Sequence, residues 1–311
     1  MTPTLEELWR CKCSRCDWTG LVKQYLKFPS ISKEINHDST HFLLEFIQNA
    51  DDNLYDAKVE PTLNFTYHRE FLRVDCNEVG FSRENINAIC SIGNSTKSRD
   101  QSPDTVGEKG IGFKSVFKIA DRVHIASNSY QFMFDRNEKP LGMIAPKWAP
   151  IPTDREPGYT TFILKYSPEC DRPALRRELE SLDPRILLFL HKLRRITVDF
   201  RDGRHSDKRQ LKRLPSQQPA GMPDWKTIPL CVNLQEQIYA VMDHTVDNLP
   251  PEKKRGNAKR SQIILAFPFD IDIVGEIWVP KIKPQQVYAF LPIRDYGFEV
   301  LPFALPLRDV G

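Results

Sequence analysis

Long apolar runs are missing from this chain, and so is a secretory leader. The most apolar stretches, residues 186–190 and 263–267, are core-sized and far short of the roughly 20 residues that span a bilayer. The N-terminus lacks the charged-then-apolar pattern of a signal peptide. Neither a helical membrane protein nor a secreted one is expected on these grounds, and the expected location is intracellular, cytoplasmic or nuclear. The seven cysteines, odd in number, argue against a disulfide framework as well. Cys11, Cys13 and Cys16 cluster, but their CxC spacing is not the CxxC knuckle of a zinc site, and no second Cys/His pair follows at finger distance. Reduced thiols are the better reading. A strong charge of one sign is also lacking. With 44 basic and 41 acidic residues, the net charge is +3, too small to argue for nucleic acid or an anionic membrane surface. Glycine is scarce, 14 residues against 24 prolines, which suggests strand ends and ordered loops over a flexible chain.

What is present starts with residues 41–54. At helical period Phe42, Leu43, Leu44, Phe46, Ile47, Ala50 and Leu54 form one broad apolar side, while Glu45, Asn49 and Asp52 stack on the opposite face. Asp38 or Ser39 is placed to cap this helix, which is expected to run to about Ala57. A surface helix with a solvated polar face is the ordinary explanation. It is weakened here because residues 38–57 hold five acids and no Lys or Arg, so no i,i+4 ion pair relieves the repulsion. Acids with a neutral Asn among them suit a hydrated hard cation and its ligand.

Further along, residues 62–67 and 71–75 alternate as a strand pair around a 68–70 turn, and a helix is expected from Arg83 to Cys90. Residues 91–103 form a long polar loop without apolar period, of a kind more often functional than idle in a compact domain. The loop feeds Gly107, Gly110 and Gly112, just ahead of a helix over 113–119. Glycines let backbone N–H groups approach an anion, and a helix N-terminus adds positive potential. Lys97, Lys109 and Lys114 lie nearby to meet phosphate charge. An ordinary tight turn would not need three glycines in six residues. Walker A is excluded because Phe113 stands where its Lys belongs, GxGxxG is absent, and the kinase set lacks its His-Arg-Asp triplet. Strands are expected at 122–126, 130–134, 160–164 and 196–200, with two helices over 171–193 broken near Pro184. The basic, Pro/Gln-rich residues 204–225 are the best boundary. The expected plan is therefore a first domain over 1–203, a linker over 204–225 and a second domain over 226–311.

Three stretches then stand in a telling order. They are Glu45-Phe46-Ile47-Gln48-Asn49-Ala50-Asp51-Asp52, Asn77-Glu78-Val79-Gly80-Phe81-Ser82, and Gly107-Glu108-Lys109-Gly110-Ile111-Gly112-Phe113-Lys114-Ser115. Together they resemble successive motifs of the GHKL ATPases, the superfamily of gyrase, the ninety-kilodalton heat-shock chaperones, sensor histidine kinases and MutL. Residues 110–126 are especially similar to the heat-shock chaperone type, and the Asn-Glu-Val-Gly-Phe form of the second motif resembles the sacsin and plant NO VEIN relatives. The resemblance covers about residues 20–200, with a weaker match over 286–298.

The resemblance implies a Bergerat-type ATP-binding fold, an α/β two-layer sandwich whose mixed sheet is covered on one face by helices, followed by a partial, transducer-like second α/β domain. ATP would lie between the helices under a lid of residues 91–112. Glu45 would be the general base, Asn49 would hold Mg2+, and Asp52 would support the site. Gly107, Gly110 and Gly112 would wrap the phosphates with help from Lys97 and Lys109, and Thr160 or Thr161 would reach the adenine side. Gly80, Phe81, Ile111 and Phe113 belong to the same implied ATP-binding set. One departure stands out. The family places an Asp four residues before the second-motif Gly, where this chain has Cys76, with Asp75 one position off. Asp75 could face adenine only if the strand bulged at Cys76–Asn77, and that irregularity is the expectation, with the Asn77 amide as substitute.

The implied function is a Mg-ATP module with slow hydrolysis that drives lid and conformational change, chaperone-like or scaffold-like. The alternative is a non-hydrolysing nucleotide-binding platform. A histidine kinase ranks low because only His37 and His41 closely precede the Asn49 motif. The expected partners are ATP and a protein client, with transient dimerisation left open. No membrane is expected, and scattered arginines argue against nucleic acid.

Overall fold

The computed structural model describes residues 41–90, 112–138, 142–203, 207–219, 224–247, 261–271, 277–281, 285–289, 291–298 and 305–306. The cysteine cluster, the N-terminal lead-in, and Lys97, Gly107, Lys109, Gly110 and Ile111 with nearly all of the expected lid lie outside them. The chain divides into two compact units, residues 1–182 with 191–209, and residues 183–190 with 210–311.

The first unit begins with α1 (His41–Asp52), the antiparallel pair β1 (Thr62–His68) and β2 (Phe71–Cys76), and α2 (Arg83–Ile89). A 3₁₀ helix (Gly112–Lys118), β3 (Ala120–Ser127), β4 (Tyr130–Asp135), the two-residue β5 (Lys147–Trp148), β6 (Thr160–Tyr166), α3 (Arg172–Glu180) and β7 (Arg195–Arg201) follow. Its strands run in the order β7-β1-β2-β6-β3-β4-β5. The β1–β7 pair is parallel and the others antiparallel. Strand alternation assigns Leu63, Phe65, Leu72, Val74, Phe162 and Leu164 to one face, all buried. Against this face α1 lays its apolar side, with the Phe46 ring 6.5 Å from Phe65 and 5.1 Å from Phe162. Removing each such side chain from water stabilises the fold by about 1.5–3 kcal/mol.

The second unit holds the single-turn α4 (Ile186–Phe189) and antiparallel strands. Strand β8 (Asp207–Arg213) begins at the division and is followed by β9 (Trp225–Val232), β10 (Gln235–Val246), β11 (Ser261–Ile271), β12 (Ile277–Pro280) and β15 (Leu305–Pro306), which lie in the order β15-β12-β11-β10-β9-β8. Strands β13 (Gln285–Ala289) and β14 (Leu291–Phe298) pair separately.

The expected two-layer α/β sandwich of Bergerat type is overturned by this architecture. Strands of a large mixed sheet dominate the described residues, and the α-helices among them span only 12, 7, 9 and 4 residues. Such helices do not make a full layer. The partial α/β second domain is likewise strand-dominated. Several expected elements change for local reasons. The helix expected to reach Ala57 stops at Asp52, where Lys192 Nζ takes the Asp52 and Asn53 carbonyls at 3.1 and 2.8 Å. The two helices expected over 171–193, broken near Pro184, are present but short, at Arg172–Glu180 and Ile186–Phe189. The stretch read as a linker contains β8, held by the fully buried Leu211 and by pairing of residues 211–213 with β9. Strand β10 escaped notice because its ends are polar; pairing on both edges, with β9 and β11, defines it.

Candidate functional site

Phe162 is where the three sequence motifs meet. Its ring lies 5.1 Å from Phe46 of the first motif, 6.1 Å from Phe81 of the second and 6.1 Å from Phe113 of the third. The first and second motifs also join through backbone, with Val79 N donating to Leu54 O at 3.0 Å. Tyr55 hydroxyl donates to Ala50 O at 2.6 Å and contacts Cys76 Sγ at 3.2 Å. On α1, Glu45 and Asp52 are half-buried and Asn49 is exposed, so the polar face of the helix is open while its apolar face is packed. Gly112 opens the 3₁₀ helix and Phe113 is half-buried in the aromatic cluster.

The anchoring of α1 rests on a residue the sequence did not single out. Asp51 is buried, and its carboxylate accepts from the backbone amides of His191, Lys192 and Leu193 at 2.7–2.8 Å. Three donors on one carboxylate pin the end of the motif helix to the chain that leads into β7. An acid next to Asp52 in an uncompensated run was the only available signal, and the sequence does not say which of the two turns inward.

Strand β2 is regular to its end, so the expected bulge at Cys76–Asn77 is absent. Asp75 pairs with Asn64 and Thr161, and Cys76 with Leu63 and Thr160, in unbroken register. Asp75 therefore faces away from α1. Its Oδ1 accepts from Thr161 Oγ1 at 2.6 Å and its Oδ2 pairs with Arg73 Nε at 2.7 Å. It lines a reverse-face pocket of about 570 Å3 with Arg73, Asp154, Thr197, Asp199 and Arg201. The Asn77 amide is also committed, since Oδ1 accepts from Thr62 N at 2.7 Å and Nδ2 donates to Glu60 O at 2.9 Å. Thr161 shares the fate of Asp75, which leaves Thr160 on the helix side. Lys114 departs from its expected phosphate role as well. It is buried, donates to Ile89 O and Met143 O at 2.8 and 2.5 Å, and sits 4.4 Å from the Phe134 ring centre. Burial lowers its pKa to about 7.

On the helix side lies a buried polar chain. Phe81 N donates to Ser127 Oγ at 2.7 Å, Ser127 and Thr160 hydroxyls meet at 2.6 Å, and Thr160 Oγ1 donates to Glu78 Oε1 at 2.8 Å. Burial pushes the Glu78 carboxyl up, while hydrogen bonds from Thr160 and the Gly80 backbone favour its charged form. Burial also raises the Cys76 thiol to about 11. Gly80 makes the turn after Glu78 at φ +88°, where a Cβ would strike the Asn128 side chain at 2.4 Å. Glu78 was not singled out as a site residue; it lies past the end of β2 at Cys76, in a bend where strand alternation gives no signal.

The arrangement offers a polar helix face with Asn49 exposed, the buried carboxylates of Asp51 and Glu78, and a convergence of three motifs. Among the described residues no group of three or more His, Cys, Asp or Glu is placed to hold a metal, and no helix is long and apolar enough to cross a membrane. Comparison with known proteins adds a similarity. The chain matches the Sacsin domain family over residues 29–150. It is also 30% identical, over 312 positions, to Protein NO VEIN of Arabidopsis thaliana, a match covering 93% of this chain and 11% of that protein. The chain thus spans a small part of its relative's length. Both matches support similarity to the sacsin and NO VEIN group.

Proposed function

We propose that this chain, similar to the sacsin and NO VEIN group, is a Mg-ATP-binding module related to the GHKL ATPases, with slow hydrolysis coupled to conformational change. The observation that carries the reading is the convergence of Phe46, Phe81 and Phe113 on Phe162, which brings together three motifs far apart in the sequence. In this reading Glu45, half-buried on the polar side of α1, is the general base that takes a proton from the attacking water. Asn49, one turn on, offers a neutral oxygen ligand to Mg2+, a cation that keeps most of its waters, and Asp52 supports that hydration shell. Mg2+ supplies charge neutralisation at the phosphates when bound. The side chains at hand fit such a group in kind, since α1 carries the oxygen-bearing side chains of Glu45, Asn49 and Asp52. A protein client, engaged in chaperone-like or scaffold-like fashion, is part of the same proposal.

The test is calorimetric titration with ATP, with and without Mg2+, followed by steady-state turnover. Glu45→Ala should bind Mg-ATP and lose roughly 10²–10⁴-fold in turnover, whereas Asn49→Ala should lose the metal-dependent part of the affinity. Wild-type binding without turnover above that of Glu45→Ala would establish the non-hydrolysing platform instead.

A further inference from the structure

The pocket of about 570 Å3 on the reverse face of the first unit's sheet has no part in the nucleotide reading. We infer that it is an oxyanion site, in which a phosphate or carboxylate group of a small ligand is held by Arg201, Lys208 and His68. The inference is independent of the function proposed above, because it concerns the opposite face of the sheet.

Four bases and four acids line the pocket, so the sum of charge does not decide what enters; the placement of charge does. Strand pairing lays the floor in three rows. Asn64 pairs with Asp75 and Thr197, Thr66 with Arg73 and Asp199, and His68 with Arg201, and alternation puts these side chains on one face. The Asp75 row is the acid end: burial raises the Tyr159 pKa, and Glu156 and Asp75 add to the rise. The His68 row is the basic end. There the His68 ring stacks on Phe71 with centroids 4.3 Å apart. Burial lowers its pKa, and Arg201 and then Arg73 lower it further against the opposing Asp199. At this end the acids are deep and the cations are not. The Asp199 side chain is 10% exposed and that of Arg201 60%. Among the described residues Arg201 is bonded only through Nε, to Asp199 Oδ2 at 2.8 Å. A carboxylate gripping Nε fixes the guanidinium plane and leaves the two Nη groups as a fork, which matches two oxygens of a phosphate or carboxylate. Lys208 is exposed and lies on the part of β8 that belongs to the first unit, where the chain returns after Arg201 through residues 202–206. Its ammonium adds point charge with little directional demand. Arg73 is spent on Asp75 Oδ2 and Asp154 O, both at 2.7 Å, so it contributes field and not a free fork. An oxyanion entering here meets an arginine that is already ordered, and little side-chain entropy is lost on binding.

The experiment follows the His68 ring by NMR in the full chain, with His68→Gln to assign its signal. The ring is titrated through pH in sodium chloride, inorganic phosphate and acetate at matched ionic strength, which holds general screening constant. In phosphate or acetate His68 should titrate at higher pH than in chloride, because a bound anion offsets the field of Arg201 and Arg73. A response to phosphate alone makes the ligand's group phosphoryl, to acetate alone carboxyl, and to both either one. Arg201→Gln should weaken the responding anion about tenfold, read from the concentration dependence of the His68 signal, and Lys208→Gln should weaken it by a smaller factor. Melting curves check that the variants fold, and the exposed Lys208→Gln keeps the test decisive should Arg201→Gln unfold. The same His68 titration in all three salts overturns the site, and so does a response that survives both substitutions unchanged.

Discussion

The two faces of the first unit's sheet handle polar groups in opposite ways. On the reverse face, charges are neutralised within single strands. Arg73 pairs with Asp75 and Arg201 with Asp199, each two residues apart and so on the same side of a strand. On the helix-bearing face the setting is aromatic, around Phe162, and the carboxylate of the hydroxyl chain accepts from the neutral Thr160 hydroxyl. Chain neighbours are split between the two: Asp75 from Cys76, and Thr161 from Thr160. The lesson is that a polar residue close to a motif does not belong to the site unless its parity puts it on the right face. A carboxylate already paired with Arg has little acceptor strength to offer a ligand; an unpaired buried one has much.

Four measurements break or sharpen this contrast. The largest effect is expected for Phe162→Ala, which removes the ring shared by Phe46, Phe81 and Phe113. Chemical denaturation should show a loss of about 3–5 kcal/mol; a loss below 1 kcal/mol would mean the convergence is not what holds the motifs together.

Next comes Lys114. Its pKa is lowered in the folded protein to about 7, against the ordinary 10.5 when unfolded, so from pH 7 upward the unfolded chain holds a proton the folded one releases. Stability should therefore rise by about 2 kcal/mol between pH 7 and 9, and the penalty of burying the charge is fully felt below pH 7. Lys114→Met should flatten that part of the pH profile. An unchanged slope would show that other groups produce it.

On the reverse face, Asp75→Ala takes the carboxylate from Arg73 Nε and Thr161 Oγ1 and should cost about 1.5–2 kcal/mol while ATP affinity stays within twofold. A tenfold loss of affinity would move the base to the wrong face and erase the contrast. The smallest effects are expected for the paired substitutions Thr160→Val and Thr161→Val, each worth about 1 kcal/mol of stability. Only Thr160→Val should change Mg-ATP affinity, and an equal change in both would remove the parity argument.

Taken by itself, the sequence determined what depends on short-range pattern. The apolar stripe of α1 follows from helical spacing and packs as its spacing requires, with Phe42, Phe46, Ile47 and Ala50 buried. Strands β1 and β2 follow from alternation, and α2 begins where Ser82 caps it through Asn85. Similarity to the sacsin and NO VEIN group is legible in the second motif. Tertiary structure alone decided the rest, because it depends on partners distant in the chain. Pairing across β9 and β11 makes β10 a strand despite its polar ends. The amides of residues 191–193 turn Asp51 inward while its neighbour Asp52 stays half-buried. Two backbone carbonyls and an aromatic ring draw Lys114 into the core. Pairing of β2 with β6 sends Asp75 to the reverse face and leaves Glu78 as the carboxylate beside the motif helix. A sequence lists which charges exist; only packing decides which of them are paired with an opposite charge, as Asp75 is with Arg73, and which are buried beside a neutral hydroxyl, as Glu78 is beside Thr160.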